Sequence, residues 1–207
     1  MIDTLMAMRE RIEARPALDG LPPQGYLVVT LHRPALVDNP QLLLRTVGAL
    51  SELARRVPIV FPVHPRTEER LAAAGLDAER LSETGIRLCP PLGYLEFLGL
   101  EAKALFVLTD SGGIQEETSA LGVRCFTLRD TTERPITVEC GTNTLLGMDP
   151  ERICTIPTLL EEEDHSAREL PLWDGRAGER AASVIADFLG SRMARTERSG
   201  TSESANG

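Results

Sequence analysis

Leu105-Phe106-Val107-Leu108-Thr109-Asp110-Ser111-Gly112-Gly113-Ile114-Gln115-Glu116-Glu117 runs from apolar residues, through two glycines, into a stretch of helical period. Residues 105–108 have the composition of a buried strand, and 112–121 read as a helix. A strand that turns so tightly into a helix is half of a βαβ unit. The same alternation repeats outward in both directions. Upstream, strands are predicted at 26–31, 59–63 and 86–88, with helices at 67–74, at 94–102 and after Asn39-Pro40. That last pair offers an N-cap and a first-turn proline, and its helix should bury Leu43, Val47, Leu50 and Leu53. Downstream come a strand at 124–128, a loop, and helices near 150–160 and 178–193. The pattern predicts an α/β, Rossmann-like, mostly parallel sheet with helices on both faces.

Length and charge narrow the function classes. A chain of 207 residues is expected to form one domain over 1–194. Residues 195–207 are rich in Ser, Thr, Glu and Gly without apolar period, so they read as a disordered tail. The net charge of -9 argues against a nucleic-acid partner, which calls for a basic face. No eighteen apolar residues run together and 1–15 lack a signal-peptide pattern, so no membrane partner is expected and the expected location is the cytoplasm. Cys89, Cys125, Cys140 and Cys154 lack a CxxC spacing and a neighbouring histidine. They read as buried free thiols, with no metal site.

In a parallel sheet of this kind, ligands bind beyond the carboxyl ends of the strands. The polar clusters lie at those ends: His32 and Arg33, then His64 to Arg66, then Asp110 to Gly113, then the loop 129–134. At 109–117 the turn points backbone N–H groups and the positive end of a helix at whatever lies above the strand, and a diphosphate suits that position. Ser111, Gly112 and Gly113 can approach it closely. Glu117, one turn on, could accept hydrogen bonds from two ribose hydroxyls. Read alone, the same residues also describe an ordinary capped turn with a solvent-facing Glu-Glu pair. Arg134 could clamp phosphate or sugar, or simply pair with a neighbouring glutamate. His32 and His64, two of only three histidines, stand at strand ends where an imidazole can hold a diphosphate or move a proton, or only brace the backbone. His165 lies in an acidic run and reads as solvated. Phe97 could flank a base or fill the core.

Taken in order, Val29-Thr30-Leu31-His32-Arg33-Pro34, Pro62-Val63-His64-Pro65-Arg66-Thr67, Pro91-Leu92-Gly93-Tyr94, 109–117, 129–135, Gly141-Thr142-Asn143 and Asp174-Gly175-Arg176-Ala177 resemble the C-terminal domain of the non-hydrolysing UDP-N-acetylglucosamine 2-epimerases. The resemblance covers nearly all of 1–189. It implies one lobe of a two-domain GT-B architecture, shared with nucleotide-sugar glycosyltransferases. It also implies UDP and a UDP-N-acetylhexosamine as ligands, with UDP-GlcNAc and UDP-ManNAc interconverted by elimination and re-addition of UDP, for cell-surface polysaccharide biosynthesis. No cofactor and no metal are implied. Ser111, Gly112 and Gly113 are then expected at the phosphates, Glu117 at the ribose, Arg134 at phosphate or sugar, and Leu92 and Phe97 at the uracil. His32 is expected beside the reacting centre. Arg33 and His64 are expected near an interdomain cleft, where some members take a second, activating UDP-sugar.

The family's N-terminal lobe carries most of the proposed acid and base carboxylates, and Met1-Ile2-Asp3-Thr4-Leu5 matches the family just past the interdomain hinge. A separate N-terminal lobe or a homodimer is therefore an expected partner. Ala35 and Ile136 replace common glutamates of the family, and Arg124 a usual proline. These departures keep two alternatives open: a UDP-sugar-binding module without turnover, and a glycosyltransferase remnant, whose family fits 109–117 and 129–135 less well.

Overall fold

The computed structural model describes residues 1–15, 20–162 and 170–200, with the side chains of all but 162 and 193–200. In chain order the elements are α1 (Ile2–Ala7), α2 (Arg9–Glu13), β1 (Leu27–Thr30), α3 (Pro34–Val37), α4 (Pro40–Ala54), β2 (Ile59–Pro62), α5 (Pro65–Ala73), α6 (Ala78–Glu83) and β3 (Ile86–Cys89). Then come α7 (Tyr94–Glu101), β4 (Phe106–Thr109), α8 (Gly112–Leu121), β5 (Arg124–Thr127), α9 (Pro135–Glu139) and β6 (Asn143–Leu145). A 3-10 turn (Pro150–Thr155), α10 (Ile156–Glu162) and α11 (Ala177–Gly200) complete the chain.

Every strand pairing is parallel, and the order across the sheet is β3-β2-β1-β4-β5-β6. This is the doubly wound Rossmann order. The chain winds outward from β1 through β2 to β3, then crosses back to β4 and winds the other way. β1 and β4 therefore lie side by side, with Leu27 opposite Phe106 and Thr30 opposite Thr109.

Alternation along each strand divides the core into two layers. Leu27, Val29, Ile59, Phe61, Phe106, Leu108 and Phe126 join one buried cluster, whose other members include Leu43, Val47, Leu50 and Leu53 of α4, Leu71 of α5 and Leu81 of α6. Tyr26, Val28, Val60 and Val107 point to the opposite face, with Leu100 of α7 and Ile114 of α8. Sheets covered on both faces carry continuous apolar strands, and β1, β2 and β4 are buried at every position. α4 buries the four residues its sequence marks, and Asn39 caps it by accepting the Leu42 N–H at 3.1 Å.

The structure departs from the sequence-based expectation in particular places. α3, α6, α9 and β6 are three to six residues long, too short for a period to register. β6 forms because Asn143, Thr144 and Leu145 find Cys125, Phe126 and Thr127 beside them. The stretch near 150–160 is a 3-10 turn running into α10. All four cysteines are free, but only Cys125 is buried and Cys154 is exposed. Two compact units are described, Met1–Ala7 with Pro171–Gly207 and Met8–Leu170.

In the smaller unit the Asp3 carboxylate accepts the N–H groups of Ala177 (3.2 Å) and Gly178 (2.7 Å), capping the first turn of α11. That helix continues to Gly200, so 195–200 of the expected tail are helical. His165 and residues 201–207 lie outside the described residues. Among the described residues, no helix is long and apolar enough to cross a membrane.

If α4 packs as described, truncating its core side should cost far more than truncating its outer side. Leu50 is fully buried and Leu44 is 46% exposed. Leu50→Ala is expected to lower unfolding stability by about 2–5 kcal/mol, and Leu44→Ala by less than about 0.5 kcal/mol. Urea denaturation of both variants reads the difference, and equal losses would place the packed face elsewhere.

Candidate functional site

The reversal of winding opens a crevice between the carboxyl ends of β1 and β4. His32 and Arg33 leave β1 on one side of it, and Asp110 and Ser111 leave β4 on the other. The two strand ends are tied by the Thr30 and Thr109 hydroxyls, 2.8 Å apart. Asp110 is buried at 1% exposure, and its carboxylate accepts the backbone N–H groups of His32 (3.0 Å) and Arg33 (2.8 Å). The His32 Nδ1 lies 3.0 Å from the same carboxylate.

That contact fixes the imidazole with Nδ1 on the buried carboxylate and Nε2 on the opposite edge of the ring. The hydrogen bond to Asp110 raises the His32 pKa above the ordinary histidine value, against the opposing effects of partial burial and of Arg33. A half-buried histidine held so can carry positive charge near neutral pH.

α8 begins at the same crevice. Ser111 takes the extended N-cap conformation but makes no side-chain capping bond, so its hydroxyl does not satisfy the first-turn N–H groups. Gly112 leaves that turn open, since a Cβ there would have only the Glu133 carboxylate within 4 Å, at 3.7 Å. Gly122, in the left-handed region at φ 73°, ends the helix.

Glu117 is 8% exposed, which removes the solvent-facing alternative. Burial pushes its carboxyl up to about 7, while a hydrogen bond with the Tyr94 hydroxyl pulls the other way. Glu101, at the far end of α7, is fully buried, and burial with the nearby Glu117 charge raises its pKa well above the carboxylate range. Leu92 and Phe97 pack partly buried on the cluster that contains Ile114, so they stand on the α8 side of the sheet.

The loop after β5 closes the other side. Arg129 donates to both oxygens of Glu133 at 2.7 Å, and Arg33 reaches the same carboxylate at 3.8 Å. Arg134 pairs with Glu116 of α8 at 2.9 Å. Buried amides hold the loop to α8: Gln115 Oε1 accepts from Thr132 (2.5 Å) and from Asn143 Nδ2 (3.2 Å), and Asn143 Oδ1 accepts from Thr127 (2.7 Å). A cleft of about 190 Å³ adjoins, lined by Arg33, Ala35, Asp110, Arg129, Asp130 and Met148.

His32, Arg33, Ser111, Gly112, Gly113 and Glu117 thus converge on β1, β4 and α8, with Arg134 on the facing loop. His64 has a local task, capping α5 by accepting the Arg66 N–H at Nδ1 (3.3 Å). Sequence reasoning gave no role to Asp110, Gln115, Arg129, Glu133 or Asn143. Asp110, Arg129 and Glu133 lay within polar clusters already marked at strand ends, and Asn143 within an ordered motif, but no local pattern separated them from their neighbours. Among the described residues, no three His, Cys, Asp or Glu side chains are grouped to hold a metal.

Asp110→Asn should move the His32 titration to lower pH, read by proton NMR, and cost about 1–3 kcal/mol of stability through the weakened buried acceptor. The pH sign follows from the raised folded-state pKa. The His32–Asp110 contribution is complete below the unfolded histidine pKa of about 6.5 and is lost as pH rises through the folded value. An unchanged His32 titration would remove Asp110 as the cause.

The sequence family described as UDP-N-acetylglucosamine 2-epimerase matches residues 1–186. A UDP-N-acetylglucosamine 2-epimerase of Methanococcus maripaludis is 39% identical over 165 residues, covering 78% of this chain and 44% of that protein. A UDP-2,3-diacetamido-2,3-dideoxy-D-glucuronate 2-epimerase of Pseudomonas aeruginosa is 37% identical over 168 residues, covering 80% and 44%. The crystal structure of Methanocaldococcus jannaschii UDP-GlcNAc 2-epimerase in complex with UDP-GlcNAc and UDP superposes with a TM-score of 0.78 at 34% identity, covering 89% of this chain and 52% of that one. The chain spans about half the length of the relatives it matches. With a doubly wound sheet, a glycine-opened helix start at its switch point and a match over most of its length, the chain belongs to the UDP-N-acetylglucosamine 2-epimerase family.

Proposed function

We propose that this chain is the nucleotide-binding lobe of a UDP-N-acetylglucosamine 2-epimerase, taking UDP and a UDP-N-acetylhexosamine at the crevice between β1 and β4. The observation that carries the reading is the start of α8, where the N–H groups of Gly112 and Gly113 open the helix without a side-chain cap from Ser111, whose own N–H goes to the Thr109 hydroxyl at 3.0 Å. A diphosphate supplies the acceptors those groups lack. Glu117 then takes the ribose hydroxyls, Leu92 and Phe97 border the uracil, and Arg134 exchanges Glu116 for phosphate or sugar. Arg33 and His64 stand at strand ends, where a second nucleotide sugar could reach them.

The reaction in this reading is reversible inversion at C2 of the sugar. A base removes the C2 proton, the electron pair forms the C1–C2 double bond, and the C1–O bond to UDP breaks to give a glycal. Return of UDP to C1 and of a proton to the other face of C2 completes it. His32 contributes a cation fixed by Asp110, with Nε2 on the opposite edge of the ring to meet the charge that develops on the departing diphosphate. Most of the carboxylates proposed as C2 acid and base belong to the half of the relatives' length that this chain does not span, so turnover in this reading requires that lobe, as a covalent or separate partner. A cytoplasmic setting agrees with four free cysteines. A second reading, nucleotide-sugar binding without turnover, is favoured by Ala35, which lines the adjoining cleft where the family commonly has a glutamate.

Calorimetric titration with UDP, UDP-N-acetylglucosamine and ADP should show uridine-selective binding in the parent chain and none in Gly113→Asp, which puts a carboxylate among the phosphate donors. Loss of uridine selectivity, or binding that survives in Gly113→Asp, would sink the site. Exchange of the C2 proton with solvent, assayed with and without an added N-terminal lobe, separates the epimerase from the binding module.

Glu117 adds a pH signature. Its ionised form is the acceptor, and burial holds it near 7, so UDP affinity should rise as pH rises through that value. The rise should be absent in Glu117→Gln. A flat profile between pH 6 and 8 in the parent chain would remove Glu117 from the ribose.

A further inference from the structure

The positive groups of this crevice are already matched by negative ones. Arg129 is only 12% exposed and gives both ends of its guanidinium to Glu133, with each contact at 2.7 Å. Arg33 lies 3.8 Å from the other side of the pair, on Glu133 Oε1. The second Glu133 oxygen sits over the first residue of α8, 3.7 Å from where a Gly112 Cβ would stand. One carboxylate therefore faces two arginines and the positive end of a helix, the three features that suit a phosphate.

Electrostatics makes this arrangement exclusive. Asp110 is buried under His32, and its charge also acts on Arg129. With Asp110 and Glu133 in place, a diphosphate arriving at the start of α8 meets arginines whose charge is already compensated and a carboxylate of its own sign. Glu133, 56% exposed, is the member free to move. Asp110, with two backbone donors and 1% exposure, is fixed. Arg129 holds Glu133 ionised down to about 2, so protonation does not clear it from the site at any ordinary pH.

We propose that Arg129 is a diphosphate-binding residue and that Glu133 is its resident counter-anion, displaced from Arg129 and from the start of α8 when a nucleotide binds. The inference rests on the nucleotide reading of the site given above and adds two residues to it. Binding is then an exchange of one anion for another on the same guanidinium. The loop that carries Glu133 is anchored behind it by Thr132 on Gln115, so a rotation of the Glu133 side chain, without movement of the loop, suffices to vacate the position.

The test compares UDP, inorganic pyrophosphate and uridine on the full chain by calorimetry and NMR titration, with melting curves to confirm folding. Glu133→Gln keeps the shape and removes the competing charge. It should bind UDP and pyrophosphate about two- to fivefold more tightly, with uridine unchanged. Arg129→Gln should weaken UDP and pyrophosphate by at least about tenfold, again sparing uridine. Arg129→Lys, which keeps the charge without the fork, should fall between and serves if the glutamine variant does not fold. Equal or weaker UDP and pyrophosphate binding in Glu133→Gln overturns the exchange, and so does a parallel loss of uridine, which would mark a structural role for the pair. If the parent chain binds UDP but Glu133→Gln matches it, the nucleotide site stands and only this inference falls. If neither binds UDP, both fall together.

Discussion

The organisation of the crevice depends on one buried carboxylate. Asp110 follows β4 directly, and its two oxygens are taken up by backbone N–H groups across the crevice and by the His32 ring. A buried carboxylate is tolerated only when donors surround it. Here the donors come from the segment that leaves β1, so satisfying Asp110 forces the turns after β1 and β4 into one arrangement. The direction of His32, the start of α3 and the approach of Arg33 to the loop after β5 all follow from that requirement.

Around this point the chain uses two kinds of polar contact. Behind α8, neutral amides and hydroxyls of Gln115, Thr127, Thr132, Thr137 and Asn143 form a connected, mostly buried network. Such networks fix geometry because each unmade bond leaves a polar group without solvent. In front of α8 the contacts are ionic and half exposed: Arg129 with Glu133, and Arg134 with Glu116. Exposed ion pairs are individually weak and exchange readily. The division places rigidity behind the helix and exchangeable charge on the side where a ligand arrives.

Carboxyl groups on the other side of α8 behave differently. Glu101 and Glu117 are both buried, burial raises both carboxyls, and the Glu117 charge raises Glu101 further. Glu117 keeps a donor in Tyr94, whereas neither Glu101 oxygen has a hydrogen-bond partner among the described residues. Burial in the absence of a partner favours the neutral acid, which is the direction of the Glu101 shift. Tyr94 and Glu101 bracket α7, so a single short helix both supports Glu117 and presents Phe97.

The alternation of apolar and polar runs determined the fold class, because βαβ units leave a period that local sequence carries, and the ordered motifs from Val29 to Pro135 identified the family. The same reading placed His32, Ser111, Gly112, Gly113 and Glu117 at strand ends and helix starts, since those positions follow from element boundaries alone. It could not see β6, which has three residues and no apolar run and exists only because β5 offers it an edge. It could not tell that Glu117 is buried or that Asp110 reaches a backbone 78 residues away. Those facts depend on which segments meet in space. Sequence separation erases them from local pattern, and the strand order β3-β2-β1-β4-β5-β6 alone restores them.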